Sequence, residues 1–387
     1  MKLALVTATI FTFTLGLYTQ KVNAAPAKTP KTFTEWCEQK ASLPEETRHT
    51  VEVLLEVAET QNCQQANQQL TQLTKLELSE KNITNIQPLS HLKNLTSLNL
   101  NDNEITDIKP LTNLTNLNTL EIHFNKIRDI QPLTNLTNLT TLNLDYNKIS
   151  NIQTLSNLKN LTNLKLFGNK ISDIKPLSNL TNLTKVVISG NQIKDIQPLF
   201  NLINLTELDI SQNEISNIQP LSNLTNLTKL SLSANETSNI QPLSNLTNLT
   251  VLELGRNEIT DIQPLSNLIN LTVLELGGNE ITDIQPLSNL INLTLLSLSA
   301  NKITDIQPLS NLINLTELDI SQNEISNIQP LSNLTNLIRL GLYLYPIRDV
   351  QPLSNLTKLE FLYIRDNLIN SKKCPVKPES ICQFELY

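Results

Sequence analysis

The sequence predicts an α/β solenoid. This is a right-handed superhelix with a parallel β-sheet on its concave side and short helical or 3-10 turns on its convex side. Three observations predict it. Aligned on the asparagine that follows each L-x-L, the chain repeats every 22 residues without insertion or deletion. Within each repeat the L-x-L leucines alternate with polar neighbours, which is the period of a half-buried strand. A proline such as Pro264 then follows D-I-Q, where a fixed φ and a missing N–H suit the start of a short helical turn.

The asparagine column runs through Asn103, Asn125, Asn147, Asn169, Asn191, Asn213, Asn235, Asn257, Asn279, Asn301, Asn323 and Asn367. Lys81 and Tyr345 hold the same place in the first and penultimate repeats, giving fourteen repeats over roughly residues 70–370. In a typical unit Leu252, Leu254, Ile259, Ile262, Leu265, Leu268 and Leu271 form the inward set. About a third of each coil is therefore buried, and only against the coils above and below it. Asn257 is polar at an inward position, so its amide is expected to pair with backbone groups left open by the turn, copy upon copy, as a ladder. Asp261 is expected to cap the convex turn. The frequent N-L-T and N-I-T triplets match a glycosylation acceptor pattern, but they recur because the repeat recurs and are read as structural.

The pattern N-x-I-x-D-I-x-P-L followed by L-x-N-L-x-x-L-x-L resembles the 22-residue repeat of the internalin-like leucine-rich-repeat family. The resemblance covers nearly the whole chain after Ala24. It implies a secreted or surface protein that grips a partner on its concave sheet. Wall-anchored members carry a C-terminal sorting signal and often extra domains; neither is recognised here, so adhesion to a host cell is not implied.

The ends set the remaining organisation: a signal peptide over 1–24, an N-terminal cap over 25–69, repeats over 70–370 and a C-terminal cap over 371–387. Met1-Lys2, the apolar run Leu3–Tyr18 and the small residues at Val22-Asn23-Ala24 point to signal cleavage before Ala25. The protein is then expected to be secreted, into a periplasm or the medium. Val51, Leu54, Leu55 and Ala58 fall at helical spacing, so Glu45–Thr60 is expected to form an amphipathic helix over the first coil. Of the three connectivities open to four cysteines, only Cys37–Cys63 with Cys374–Cys382 keeps each bridge within one end, and an exported chain favours disulfides. Leu368–Tyr387 is read as a stapled lid.

Charge and composition narrow the function. The net charge is −7, and −9 once Lys2 and Lys21 leave with the signal segment, with no basic stripe. Nucleic acid and membrane insertion are not expected. No Ser/His/Asp set, metal cluster or Gly-rich phosphate loop is found, and the chain has only seven glycines. A non-catalytic binding scaffold, monomeric and without cofactor or metal, is the reading; a carbohydrate-binding or structural envelope component is the alternative.

Information must lie in the outward residues of the strands, which line an arc on the order of 60 Å at about 4.8 Å per strand. Aromatics are scarce, yet three fall in consecutive repeats: Glu121, His123 and Phe124 in the third, Asn143, Asp145 and Tyr146 in the fourth, Lys165 and Phe167 in the fifth. These eight residues are the candidate partner site, because exposed aromatics among polar neighbours are the usual recognition anchors. Edge packing among the rings is the competing reading. A second group, Tyr343, Tyr345, Phe361 and Tyr363, is expected to lie buried under the lid. Glu207, Asp209, Glu253, Glu275, Glu317 and Asp319 make the middle acidic, and Asn204–Leu227 is identical to Asn314–Leu337. Thr237 and Thr154 stand where other repeats have Ile and Pro and are read as local relaxations.

Overall fold

A computed structural model describes residues 30–343, 347–365, 367 and 374–383. The proposed signal segment and Tyr345 lie outside them. The described chain is an open parallel sheet of fifteen strands in sequence order. Strands β1 (Lys75–Glu77) through β14 (Phe361–Tyr363) are three residues each and recur in a constant 22-residue register, so that Leu76 faces Leu98 and Leu252 faces Leu274. Each coil carries the number of its strand below. Across the coil from each of β1 to β14 but the last lies a 3-10 turn such as Gln263–Leu265, with proline at its start in every coil except the fourth.

The expected inward set is buried throughout: Leu252, Leu254, Ile259, Ile262, Leu265, Leu268 and Leu271 are fully covered. Each such side chain contributes about 1.5–3 kcal/mol on burial, realised only when a neighbouring coil is present. The asparagine ladder is equally regular. Asn257 Nδ2 donates to Leu232 O of the preceding coil at 3.0 Å and to Leu254 O of its own at 3.1 Å. Its Oδ1 accepts from the backbone N–H of Thr237, again in the preceding coil, at 3.1 Å. The bonds point backward along the solenoid, which explains the exception in coil 1. Lys81 has no coil behind it; instead His49 Nε2 meets its carbonyl at 2.6 Å. On the convex side Asp261 Oδ1 accepts from the Gln263 N–H at 2.8 Å, the expected cap, and Asn217 does the same for Gln219 at 3.0 Å.

Three helices cover the first coil: α1 (Phe33–Glu38), α2 (Glu45–Val57) and α3 (Cys63–Gln72). Only α2 was expected from apolar spacing. The other two begin at local caps: Thr32 accepts from the Glu35 N–H, and Asn62 from the Gln65 N–H. The Cys37–Cys63 disulfide ties α1 to the start of α3. Thr50 Oγ1 of α2 donates to Asn85 O at 2.6 Å, so the cap joins the repeat through hydrogen bonds as well as apolar contact. At the far end Cys374 and Cys382 are bridged, and β15 (Cys382–Gln383) continues the sheet in parallel beside β14.

The two irregular coils are locally repaired. Thr237 is fully buried, and its Oγ1 donates to Ile215 O at 3.0 Å. Thr154 keeps the 3-10 turn Gln153–Asn157 without proline and donates to Gln131 Oε1 at 3.2 Å. Under α1, His91 stacks on Phe33 with ring centres 6.3 Å apart, and neither ring nitrogen has a partner among the described residues. Burial lowers its pKa to about 4.

Three outcomes follow from these contacts. Asn257→Ala leaves the Thr237 N–H without its partner and takes one of two amide donors from each of Leu232 O and Leu254 O, so it should cost about 1–3 kcal/mol in chemical denaturation, whereas Lys81→Ala should be near neutral. Thr237→Ile should stabilise by about 1 kcal/mol or less, because Ile215 O keeps the Glu236 N–H as donor at 3.0 Å. His91 binds its proton more weakly folded than unfolded, so folding stability should fall as pH drops from about 6.5 towards 4. His91→Asn, the residue most other coils carry there, should flatten that segment of the stability–pH curve; an unchanged slope would assign it to other groups.

Candidate recognition surface

Each of β1 to β14 turns its central leucine (Val186 in β6) inward and offers two outward positions, as Thr119 and Glu121 flank Leu120. Two more positions precede the asparagine, and the second holds a positive φ in most coils. Coils 3 to 5 fill these places with the predicted residues. Phe124 and Tyr146 occupy the positive-φ position, both at φ 50°, and remain 46% and 43% exposed. Their rings stack with centres 4.1 Å apart and an 11° interplanar angle. Phe167, one residue earlier in its coil, meets Tyr146 edge-on at 4.7 Å. The stack ends on glycine: a Cβ at Gly168, itself at φ +66°, would stand 3.0 Å from Tyr146 Cδ1. The aromatics therefore pack on one another and still present open surface.

The polar members support this stack. Asn143 Oδ1 accepts from the Asp145 N–H at 3.0 Å, which orients its amide so that Nδ2 donates to His123 Nδ1 at 3.2 Å. His123 Nε2 lies 3.7 Å from Asp102 Oδ2. Asn143 is buried, so it holds His123 in place and offers little surface to a partner, contrary to its reading as a contact residue. Glu121, Asp145, Lys165 and Phe167 are half-buried. Burial raises the Asp145 carboxyl above its usual range, opposed by the Phe167 N–H that donates to it at 2.6 Å.

The acidic middle divides into paired and unpaired groups. Glu207 is held by Lys185 at 2.7 Å and Lys229 at 3.7 Å, and the Lys185 hydrogen bond lowers its pKa. Glu317 has Arg339 at 4.0 Å. Glu253 and Glu275 stand directly opposite on neighbouring strands; burial, then the Glu253 charge, raises the Glu275 carboxyl. Among the described residues no group of three His, Cys, Asp or Glu side chains could hold a metal ion.

Coils 11 to 14 depart from expectation. Tyr363 is 42% exposed, contrary to its expected burial. The Arg339 guanidinium lies over the Phe361 ring, 4.9 Å from its centre. Gly341 takes an outward position where most coils carry a longer side chain, and a hollow of about 390 Å³ opens beside it, walled by Tyr343 and Tyr363.

The Leucine Rich repeats (2 copies) family model matches residues 71–113, 115–157, 159–201, 203–245, 247–289, 269–311 and 291–333. The crystal structure of an internalin, InlF, from Listeria monocytogenes is 35% identical, covers 84% of this chain and 90% of that one, and has a TM-score of 0.68. The chain belongs to the internalin-like leucine-rich-repeat family. The functional domain of InlJ from Listeria monocytogenes, which includes a cysteine ladder, shares the fold at TM-score 0.73 and 24% identity, over 89% of this chain and 77% of that one. A Leptospira interrogans leucine-rich-repeat protein shares it at TM-score 0.68 and 23% identity, over 92% and 99%. No curated protein matches. Leucine-rich-repeat proteins are in general protein-interaction scaffolds, and internalin-like proteins are secreted or surface proteins. No helix among the described residues is long and apolar enough to cross a membrane.

Sequence reasoning found the aromatic stack of this internalin-like chain and missed the hollow. A signal for the hollow was present. In the position two before the asparagine, Ser189, Ser211, Ser233, Gly255, Gly277, Ser299 and Ser321 form an unbroken small run, closed by Phe167 at one end and Tyr343 at the other.

Proposed function

We propose that this chain is an exported, non-catalytic binding protein that grips a protein or peptide on its concave sheet, anchored by the aromatic stack of coils 3 to 5. The observation that carries the reading is the pair Phe124 and Tyr146, stacked yet nearly half exposed. Large rigid side chains of this kind add contact area at low entropic cost, and leaving them in water has no structural benefit. A glycan platform is the weaker reading, because a sugar ring needs a free aromatic face and the stacked rings turn a face towards each other. Export is supported by the apolar run and small residues before Ala25 and by two formed disulfides.

The test uses purified protein beginning at Ala25 as cross-linking bait against envelope and culture fractions, beside a Phe124→Ala, Tyr146→Ala, Phe167→Ala variant. Capture should fall at least about tenfold in the variant while its cooperative unfolding transition is retained, at a somewhat lower midpoint because the ring contacts are lost. Equal capture by both baits removes the site from coils 3 to 5. Capture by neither bait, with binding on a glycan array, transfers the reading to carbohydrate.

A further inference from the structure

The 24-residue segment Asn204–Leu227 recurs unchanged as Asn314–Leu337, so Asp209 and Asp319 have identical neighbours along the chain. Their surroundings in space differ on both sides: the coil before reads Lys185-Val186-Val187-Ile188-Ser189 and Leu295-Leu296-Ser297-Leu298-Ser299, and the coil after reads Lys229-Leu230-Ser231-Leu232-Ser233 and Arg339-Leu340-Gly341-Leu342-Tyr343. Asp209 is saturated. Its Oδ1 accepts from the Ser211 N–H at 3.0 Å and Oγ at 2.6 Å, and its Oδ2 from Ser189 Oγ at 2.8 Å. Asp319 accepts only from the Ser321 N–H, at 3.0 Å, and its Oδ2 has no donor among the described residues. Ser321 Oγ instead accepts from the Tyr343 N–H at 3.3 Å.

Gly341 makes room for this carboxylate, since a Cβ there would collide with it. The carboxylate thus lies in the hollow bounded by Leu295, Tyr343 and Tyr363. Arg339 also borders the hollow, but its guanidinium lies over the Phe361 ring, 4.9 Å from the centre, with Nε 4.0 Å from Glu317. The wider field has the same sign. The outward column between the two core leucines holds six acids (Glu77, Glu121, Asp209, Glu253, Glu275 and Asp319) against Lys165 alone. Carboxylates lining a cleft raise the local concentration of cationic ligands.

We propose that this hollow is an anchor site for one arginine side chain of a protein or peptide ligand. The guanidinium donates to Asp319 while its face lies on the tyrosine rings and its stem on Leu295. A flat, weakly hydrated cation suits aromatic walls better than an ammonium does. The Arg339–Phe361 pair already places the same two groups together in the neighbouring coil. The proposal rests on the concave face being a recognition surface but uses none of the residues of coils 3 to 5, so each can fail alone.

The probe is N-acetyl-arginine amide, titrated into the protein beginning at Ala25 with the tyrosine ring signals followed by NMR. Citrulline amide serves as the uncharged analogue. Tyr343 and Tyr363 should shift with saturation in the millimolar range, about what a single anchoring residue supplies. Citrulline should bind at least about tenfold more weakly. Asp319→Asn keeps the Ser321 contact and should weaken binding about tenfold, while Asp209→Asn, in the identical segment, should leave it unchanged. Equal binding of citrulline, equal loss in the two variants, or no shift by about 100 mM would each overturn the proposal. The Phe124, Tyr146, Phe167 variant should titrate like the native protein.

Discussion

The asparagine at the end of each strand reaches backward across the coil boundary, and the solenoid depends on that reach. One amide meets a carbonyl and an N–H of the coil before it, while the leucines beside it are covered only by the coils on either side. No coil satisfies its backbone or hides its apolar face alone, so stability accrues at boundaries and not within units. The same dependence explains both ends. Coil 1 needs α1 to α3 because nothing precedes it, and there the asparagine gives way to lysine because its partners would be missing. After coil 14 the strand Cys382–Gln383 takes up the open sheet edge beside Tyr363, in a segment closed by the Cys374–Cys382 bridge.

With the inward positions committed, recognition is left to the outward columns, and these are informative where they break their own pattern. The positive-φ position accepts Ala, Gln, Arg or Gly in most coils, and two consecutive aromatics there are an anomaly that needs a reason. The rings stabilise each other, but mutual packing alone does not explain why nearly half of each remains in water.

What was legible in the sequence was whatever repeats. The register, the seven inward positions, the ladder, the capping Asp261 and the cysteine pairing all follow from local chemistry copied at a constant rise. What was illegible depends on neighbours across coils. Asn143 looks like an outward residue of its strand, yet it lies buried, its amide held between the ring of His123 one coil back and the Asp145 N–H of its own turn. Tyr363 was expected under the lid because it is aromatic and near the end, yet it remains open beside a glycine. Helices α1 and α3 were missed for another reason: their apolar stripes are too short for periodicity to show, although the caps Thr32 and Asn62 were in plain view.

The duplicated segment separates these two levels of information. Asp209 and Asp319 share every neighbour in sequence for several residues on either side, and a reading along the chain assigns them one role. Across the sheet they face different coils. Serines quench the first, whereas a glycine and two tyrosines leave the second with an open oxygen in a walled hollow. A coil in this protein therefore supplies a side chain, and the coils on either side decide whether that side chain can bind anything. Duplication can multiply coils without multiplying sites, because function arises at the boundary between two unlike repeats.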